Sequence, residues 1–174
     1  MKKSRYILLA LVSIVLLIGL DQYTKHLAVI HLYQQEPIVI IPGVFELHFL
    51  VNHGAAFGIL QNQQLFFIVM TTVVMCLLTY IFLKIPMNRR YHLLHGILVL
   101  LFAGAVGNWI DRLINGYVVD FFYFKLIDFP IFNVADCYVV ISVFLFFIVF
   151  LFYYKDDEVD QIFDYLKPVR RRNG

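Results

Sequence analysis

Four long apolar runs constrain what this chain can become more than any other feature. A stretch of about 18 or more residues without charge is long enough to cross a hydrocarbon core of about 30 Å as a helix. Spans are expected at about 6–25, 65–83, 91–110 and 137–154. The first run is apolar only as far as Leu20. Its helix must therefore continue through Asp21 toward Lys25, carrying those polar groups to one membrane boundary. Composition agrees, with 61% hydrophobic residues and only 15% charged ones, against about a quarter charged in soluble domains. The expected fold is a membrane all-α architecture of four transmembrane helices with a small β element, and the absence of repeats or linkers makes residues 1–174 one domain.

Lys2, Lys3 and Arg5 ahead of the first run resemble the start of a cleavable signal peptide, but no A-x-A-like site follows, so the segment reads as a retained helix. Orientation follows from basic residues, which are enriched in cytoplasmic loops. Eleven of the fourteen fall in the N-terminus, the connection between spans two and three, and the tail, while the two long connections hold only Lys25, Arg112 and Lys125. Both termini are thus expected in the cytoplasm and the long connections outside. The Arg170-Arg171-Arg172 run reads as a stop-transfer or anionic-lipid contact rather than a nucleic-acid patch. Cys76 lies inside one span and Cys137 begins another, at different depths, which argues against a disulfide framework.

The first outer connection has structure of its own. Residues 38–51 are rich in β-branched and aromatic side chains interrupted by Pro42-Gly43, a pattern of two short strands around a turn. Phe45, Leu47 and Phe49 alternate with Glu46, His48 and Leu50, which predicts a small sheet with one face against protein or lipid. Asn52-His-Gly-Ala-Ala-Phe-Gly58 follows, with small residues suited either to a plain turn or to close backbone approach.

Polar residues collect at the same predicted boundary. Asp21 and Lys25 have the four-residue spacing of a helical pair, and Asn108, Asp111 and Arg112 share one helix face. Either group is also compatible with ordinary helix-end polarity. Asp120, flanked by Val119 and Phe121, and Asp136, just before the fourth run, are harder to place as ornament. Ionisable groups at membrane depth are costly unless paired or functional. Two such carboxyls can share a proton and activate water. They can equally cap helices, since Asp is a favoured N-terminal residue.

Five blocks in order settle on a known pattern: Asp21-Gln-Tyr-Thr-Lys25, Asn52-His-Gly-Ala-Ala-Phe-Gly58, Gly107-Asn-Trp-Ile-Asp-Arg112, Val118-Val-Asp-Phe121 and Phe132-Asn-Val-Ala-Asp136. Together they resemble the lipoprotein signal peptidases, or signal peptidase II. The resemblance implies four transmembrane helices with an extracytoplasmic β-rich cradle in the bacterial cytoplasmic membrane. It implies an aspartyl endopeptidase without cofactor or metal, acting in membrane lipid on diacylglyceryl-modified prolipoproteins and cleaving before the lipidated Cys; a monomer is the expected state, though no residue pattern addresses it. Matched block by block, the catalytic pair falls on Asp120 and Asp136. The supporting positions fall on Asp21, Lys25, Asn52, Gly54, Asn108, Arg112, Asn133 and Ala135. No family block covers residues 122–131 or the tail.

The implied chemistry has one carboxylate take a proton from water while the other donates to the carbonyl oxygen or leaving amine. Asp136 precedes a helix, whose N-terminal partial charge favours an anion, and is the expected base. His26, His31, His48, His53, His92 and His95 show no metal-ligand spacing such as H-E-x-x-H, which speaks against a metallopeptidase. A small transporter would place charges at mid-span or in paired broken helices, whereas these lie at span ends on one side. A non-catalytic scaffold, its carboxylates serving only as caps, is the other alternative.

Overall fold

The computed structural model describes residues 3–54 and 63–167. Ala55, Ala56, Phe57 and Gly58 of the second block, and Arg170, Arg171 and Arg172, lie outside the described residues. The chain builds α1 (Lys3–Leu32), β1 (Ile38–Ile41), β2 (Phe45–Asn52), α2 (Gln64–Lys84), α3 (His92–Asn115), β3 (Val118–Tyr123), a 3₁₀ turn (Lys125–Ile127), α4 (Val134–Ile148) and α5 (Asp156–Leu166). A π-helical turn, Val149–Tyr153, extends α4. Helices α1, α2, α3 and α4 with its extension are long and apolar enough to cross a membrane.

Between helices in lipid there is little hydrophobic drive, so association depends on close packing and polar contacts. Helix α3 is the hub and packs against α1, α2 and α4. Two glycines of α3 let its neighbours approach closely, Gly104 toward α4 and Gly107 toward both α1 and α4. A Cβ on Gly104 would stand 2.6 Å from the Ala135 carbonyl oxygen, and one on Gly107 would stand 2.5 Å from Asp21 Oδ2. The outer helices bury far less: Leu78 is the buried residue of α2.

The helices outrun the apolar runs at one end. Helix α1 continues beyond residue 25 to Leu32, α3 beyond residue 110 to Asn115, and α4 begins at Val134 rather than residue 137. At 1.5 Å per residue the 30 residues of α1 reach about 45 Å, more than a hydrocarbon core. The extension is possible because its polar side chains find partners on neighbouring helices. The buried residues of α1 are Asp21, Lys25, Ala28 and Leu32, one stripe at three-to-four spacing.

That stripe carries the sheet, which has order β1-β2-β3 with both pairs antiparallel. The first two strands flank the Pro42-Gly43 turn as expected. The third, β3, was not expected: the run around Asp120 reads as apolar flanks, yet it pairs Leu50 with Asp120 and Asn52 with Val118. Val119 and Phe121 then pack with Ala28 and Leu32 beneath the sheet, joined by Leu47 and Phe49. At the opposite end α5, also not anticipated, folds back so that Ile162 joins Leu78, Tyr91, Leu94 and Tyr154 in a second apolar cluster.

Candidate active site

The first turn of α4 is the anchor of the site. Asn133 is its N-cap: its Oδ1 accepts the Asp136 N–H at 3.0 Å, and Asp136 Oδ2 accepts the Asn133 N–H at 3.1 Å. This reciprocal capping box is worth about 1 kcal/mol to the helix start. The same Asn133 reaches across to β3, donating from Nδ2 to Asp120 Oδ1 at 2.6 Å and to Asn108 Oδ1 at 3.0 Å. Asn108 on α3 in turn donates to Asp136 Oδ1 at 2.7 Å. Asp120 Oδ2 accepts from Asn52 on β2 at 2.8 Å, a diagonal contact that follows from the strand register. Asn133 thus holds both carboxyls, Asp120 through its side-chain amide and Asp136 through its backbone N–H, while Asn52 completes the hold on Asp120 and Asn108 the hold on Asp136.

Both open onto one cleft of about 710 Å³ lined at its floor by Asn52, Gly54, Asn108, Arg112, Asp120 and Asp136. Its wall is apolar, from Phe124 and Phe129–Phe132 on one side to Val140 and Ile141 of α4 on the other. Val140 and Ile141 are exposed, so the cleft is continuous with the lipid-facing surface of α4. Arg112 lies along the floor with its guanidinium donating to the carbonyls of Asn108 and Gly54, both at 3.3 Å, and facing the Phe67 ring at 4.8 Å. Gly54 N–H is fixed by Asn52 Oδ1 at 2.9 Å.

Behind the floor lies a second polar layer. Lys25 Nζ meets Asp21 Oδ2 at 2.9 Å, Asp111 Oδ2 at 3.0 Å and Asn108 Oδ1 at 2.9 Å, which uses all three of its donors. Asp21 has no exposed surface and Lys25 only 3%. Asp21 Oδ1 accepts the Ala135 N–H at 2.9 Å, and Asp111 Oδ2 accepts the Val119 N–H at 3.1 Å. Spacing within a helix predicts the pair Asp21 and Lys25 but not that Asp111 turns away from Arg112 to become the second counter-ion. Gln22 joins the same layer and had no sequence signal beyond its place inside a block.

All ten anticipated residues therefore converge at one end of the bundle: Asn52, Gly54, Asn108, Arg112, Asp120 and Asp136 at the cleft, and Asp21, Lys25, Asn133 and Ala135 behind it. His92 and His95 start α3 at the other end. Among the described residues no three His, Cys, Asp or Glu side chains gather as metal ligands. Electrostatically the region sets three buried carboxyls, Asp21, Asp111 and Asp120, and the half-buried Asp136 against Lys25 and Arg112. Burial, and next the negative charge of Asp136, push the Asp120 carboxyl up to about 7, against the pull of hydrogen bonds from Asn52 and Asn133 and the charge of Lys25. Near neutral pH, Asp120 is thus poised to hold or release a proton.

The family model described as Signal peptidase (SPase) II matches residues 13–152. The chain belongs to the signal peptidase II family. The lipoprotein signal peptidase of Streptococcus thermophilus (strain CNRZ 1066) is 45% identical over 134 residues, 77% of this chain and 86% of that protein. The lipoprotein signal peptidase of Caldanaerobacter subterraneus subsp. tengcongensis is 44% identical over 135 residues, 77% of this chain and 90% of that one. A solved structure described as a bacterial membrane enzyme, obtained by the in meso method, superposes with a TM-score of 0.74 and 34% identity, covering 83% of this chain and 94% of that chain. A signal peptidase II is a peptidase, and this one has the four apolar helices of a multi-pass membrane protein.

Proposed function

We propose that this chain is an aspartyl endopeptidase of a single domain that removes the signal peptide from diacylglyceryl-modified prolipoproteins, cleaving just before the lipidated Cys, with Asp120 and Asp136 as the catalytic pair. The observation that carries this reading is that Asn133 bonds both carboxyls, Asp120 from its side chain and Asp136 from its backbone, at the floor of an apolar-walled cleft. The charge of Asp136 acts on Asp120, so the two carboxyls do not ionise independently, and a pair that shares a proton can activate water against an amide. With Asp120 carrying the proton, Asp136 is the base: it takes a proton from water as the oxygen attacks the scissile carbonyl and Asp120 donates to the carbonyl oxygen; Asp136 then passes its proton to the leaving amine as the C–N bond breaks, and Asp120 takes one back from the collapsing gem-diol.

The remaining polar groups have distinct tasks in this mechanism. Arg112 and the backbone at Gly54 hold the substrate main chain along the floor, and Asn52 and Asn133 orient the Asp120 carboxyl. The diacylglyceryl chains lie against the apolar wall and the exposed side of α4, in contact with membrane lipid, so the bilayer itself supplies part of the proximity. The enzyme works as a monomer with both termini in the cytoplasm and the cleft on the extracytoplasmic face, a topology supported by the distribution of basic residues.

Purified protein should cut a diacylglyceryl-modified prolipoprotein and leave its unmodified form intact, and mass analysis should find the lipidated Cys at the new N-terminus. Equal cleavage of the unmodified form would overturn the substrate assignment. In intact cells an impermeant thiol reagent should label a Cys placed at Pro42 and not one placed at Asn88; the reverse pattern would move the cleft to the cytoplasmic side.

A further inference from the structure

The two members of the pair sit on different elements, Asp120 on β3 and Asp136 on α4, and no covalent feature fixes the distance between them. Each is preceded by a residue whose backbone N–H is held by a carboxylate of the layer behind. Ala135 N–H donates to Asp21 on α1, and Val119 N–H donates to Asp111 on α3. Whatever couples Asp21 to Asp111 therefore couples the backbone just before Asp136 to the backbone just before Asp120. Lys25 is one such link. Gln22 is the other: its Nε2 lies 3.1 Å from Asp21 Oδ2, 3.0 Å from Asp111 Oδ1 and 3.2 Å from the Gly107 carbonyl oxygen. The three partners of that atom are all acceptors, which its two protons share and which orient the amide with its nitrogen inward.

We propose that Gln22 is a positioning residue for catalysis: a neutral brace that ties Asp21 to Asp111 and thereby sets the spacing and relative orientation of the Asp120 and Asp136 carboxyls. The inference rests on the aspartyl reading above. A neutral amide suits the place because the layer already holds two carboxylates around one ammonium, so a donor without charge closes the gap and leaves the balance of charge unchanged. The close approach that brings Asp21 to α3 is available because Gly107 has no side chain. The ionisable groups around this brace are Lys25 and Asp21 on α1, Asp111 on α3, Asp136, Cys137 and Tyr138 on α4, and Asp120 on β3.

The test compares Gln22→Leu and Gln22→Glu with the parent enzyme, full-length in detergent, by pH-rate profiles on a diacylglyceryl-modified prolipoprotein, with Asp120→Asn alongside. Leu fills the space without a donor, and kcat should fall about 10- to 100-fold with KM little changed, the penalty of a small misalignment of reacting groups. A glutamic acid at this position keeps one O–H donor only while protonated. Gln22→Glu should therefore recover kcat toward the parent at acidic pH and lose it at a lower pH than the parent does. A role confined to folding would lower the yield of active enzyme without moving the profile. Should Gln22→Leu fail to accumulate, the profile of Gln22→Glu decides alone. Parent-like kcat in Gln22→Leu, or a parent-like profile in Gln22→Glu, overturns the proposal while Asp120→Asn remains inactive. An active Asp120→Asn would instead overturn the aspartyl reading beneath it.

Discussion

The two ends of the bundle are each held by an ion pair, and they obey different physics. At the cleft end Lys25, Asp21 and Asp111 have side chains no more than 4% exposed. At the opposite end Arg90 grips Glu158 through two 2.6 Å hydrogen bonds, lies 4.2 Å over the Tyr153 ring and donates to the Tyr153 carbonyl at 2.8 Å. That geometry is as good as any at the cleft, yet Arg90 is 37% exposed and Glu158 20%. A solvated pair contributes little because water competes for both partners. A desolvated one gives a small net gain when complete and a large loss when broken, because the surviving charge is stranded. The contrast teaches that contact quality alone does not rank these interactions; access of water does.

The sharpest way to break the contrast is to remove one charge from each end. Lys25→Ala leaves Asp21 and Asp111 without their cation and should cost about 3–5 kcal/mol of stability, read as thermal unfolding in detergent. Adding Asp21→Ala should restore only part of the loss, because Asp111 is still stranded and Ala135 N–H loses its acceptor. Full recovery in that double variant would show Asp111 to be irrelevant. Gly107→Ala tests the same layer by crowding, with its new Cβ 2.5 Å from Asp21 Oδ2; a loss of about 1–3 kcal/mol is expected, and an unchanged melting temperature would mean that α1 and α3 yield freely.

Smaller effects sharpen the comparison through pH. With Asp120 at about 7 as the proton donor, activity should fall as pH rises through that value. The Asn52 hydrogen bond favours the ionised carboxyl, so Asn52→Ala should move the alkaline limb to higher pH; a limb that stays in place would detach it from Asp120. The weakest effect belongs to the far end. The hydrogen bonds from Arg90 and from the Lys155 backbone hold Glu158 down at about 2. Its folded value is depressed, so the contribution is present above the ordinary glutamate pKa and lost as pH falls toward 2. Glu158→Gln should lower the melting temperature by no more than a few degrees at neutral pH, less in high salt and progressively less as pH falls through about 2. Cleavage should be unaffected.

The same division governs how much of the molecule is legible from residues alone. Apolar runs announce the four spans, and the polar residues that interrupt their ends are conspicuous because lipid tolerates few of them. The helix ends are less legible: α1 runs on to Leu32, which packs with Val119 and Phe121 beneath the sheet, and α3 runs on past its last buried residue, Asp111, until the left-handed Gly116 stops it. Asp111 illustrates the limit: helical spacing pairs it with its own neighbours, while its actual partner Lys25 lies on another helix. Strand β3 was hidden by the charged residue at its centre, which is satisfied across the sheet by Asn52. Helix α5 was hidden by its four aspartates and one glutamate, since the residue that anchors it, Ile162, meets partners from α2, α3 and the end of α4.

The central claim is that Asp120 and Asp136 act as one unit. Single-turnover cleavage of a diacylglyceryl-modified prolipoprotein by Asp120→Asn, Asp136→Asn and the double variant, each shown to melt cooperatively in detergent, tests it directly. Asn keeps the size of Asp but cannot shuttle a proton, so each single variant should lose about a thousandfold or more and the double variant no more than either alone, as expected of residues that work together. Turnover within tenfold of the parent in either single variant, or losses that multiply in the double, would contradict the shared-proton pair.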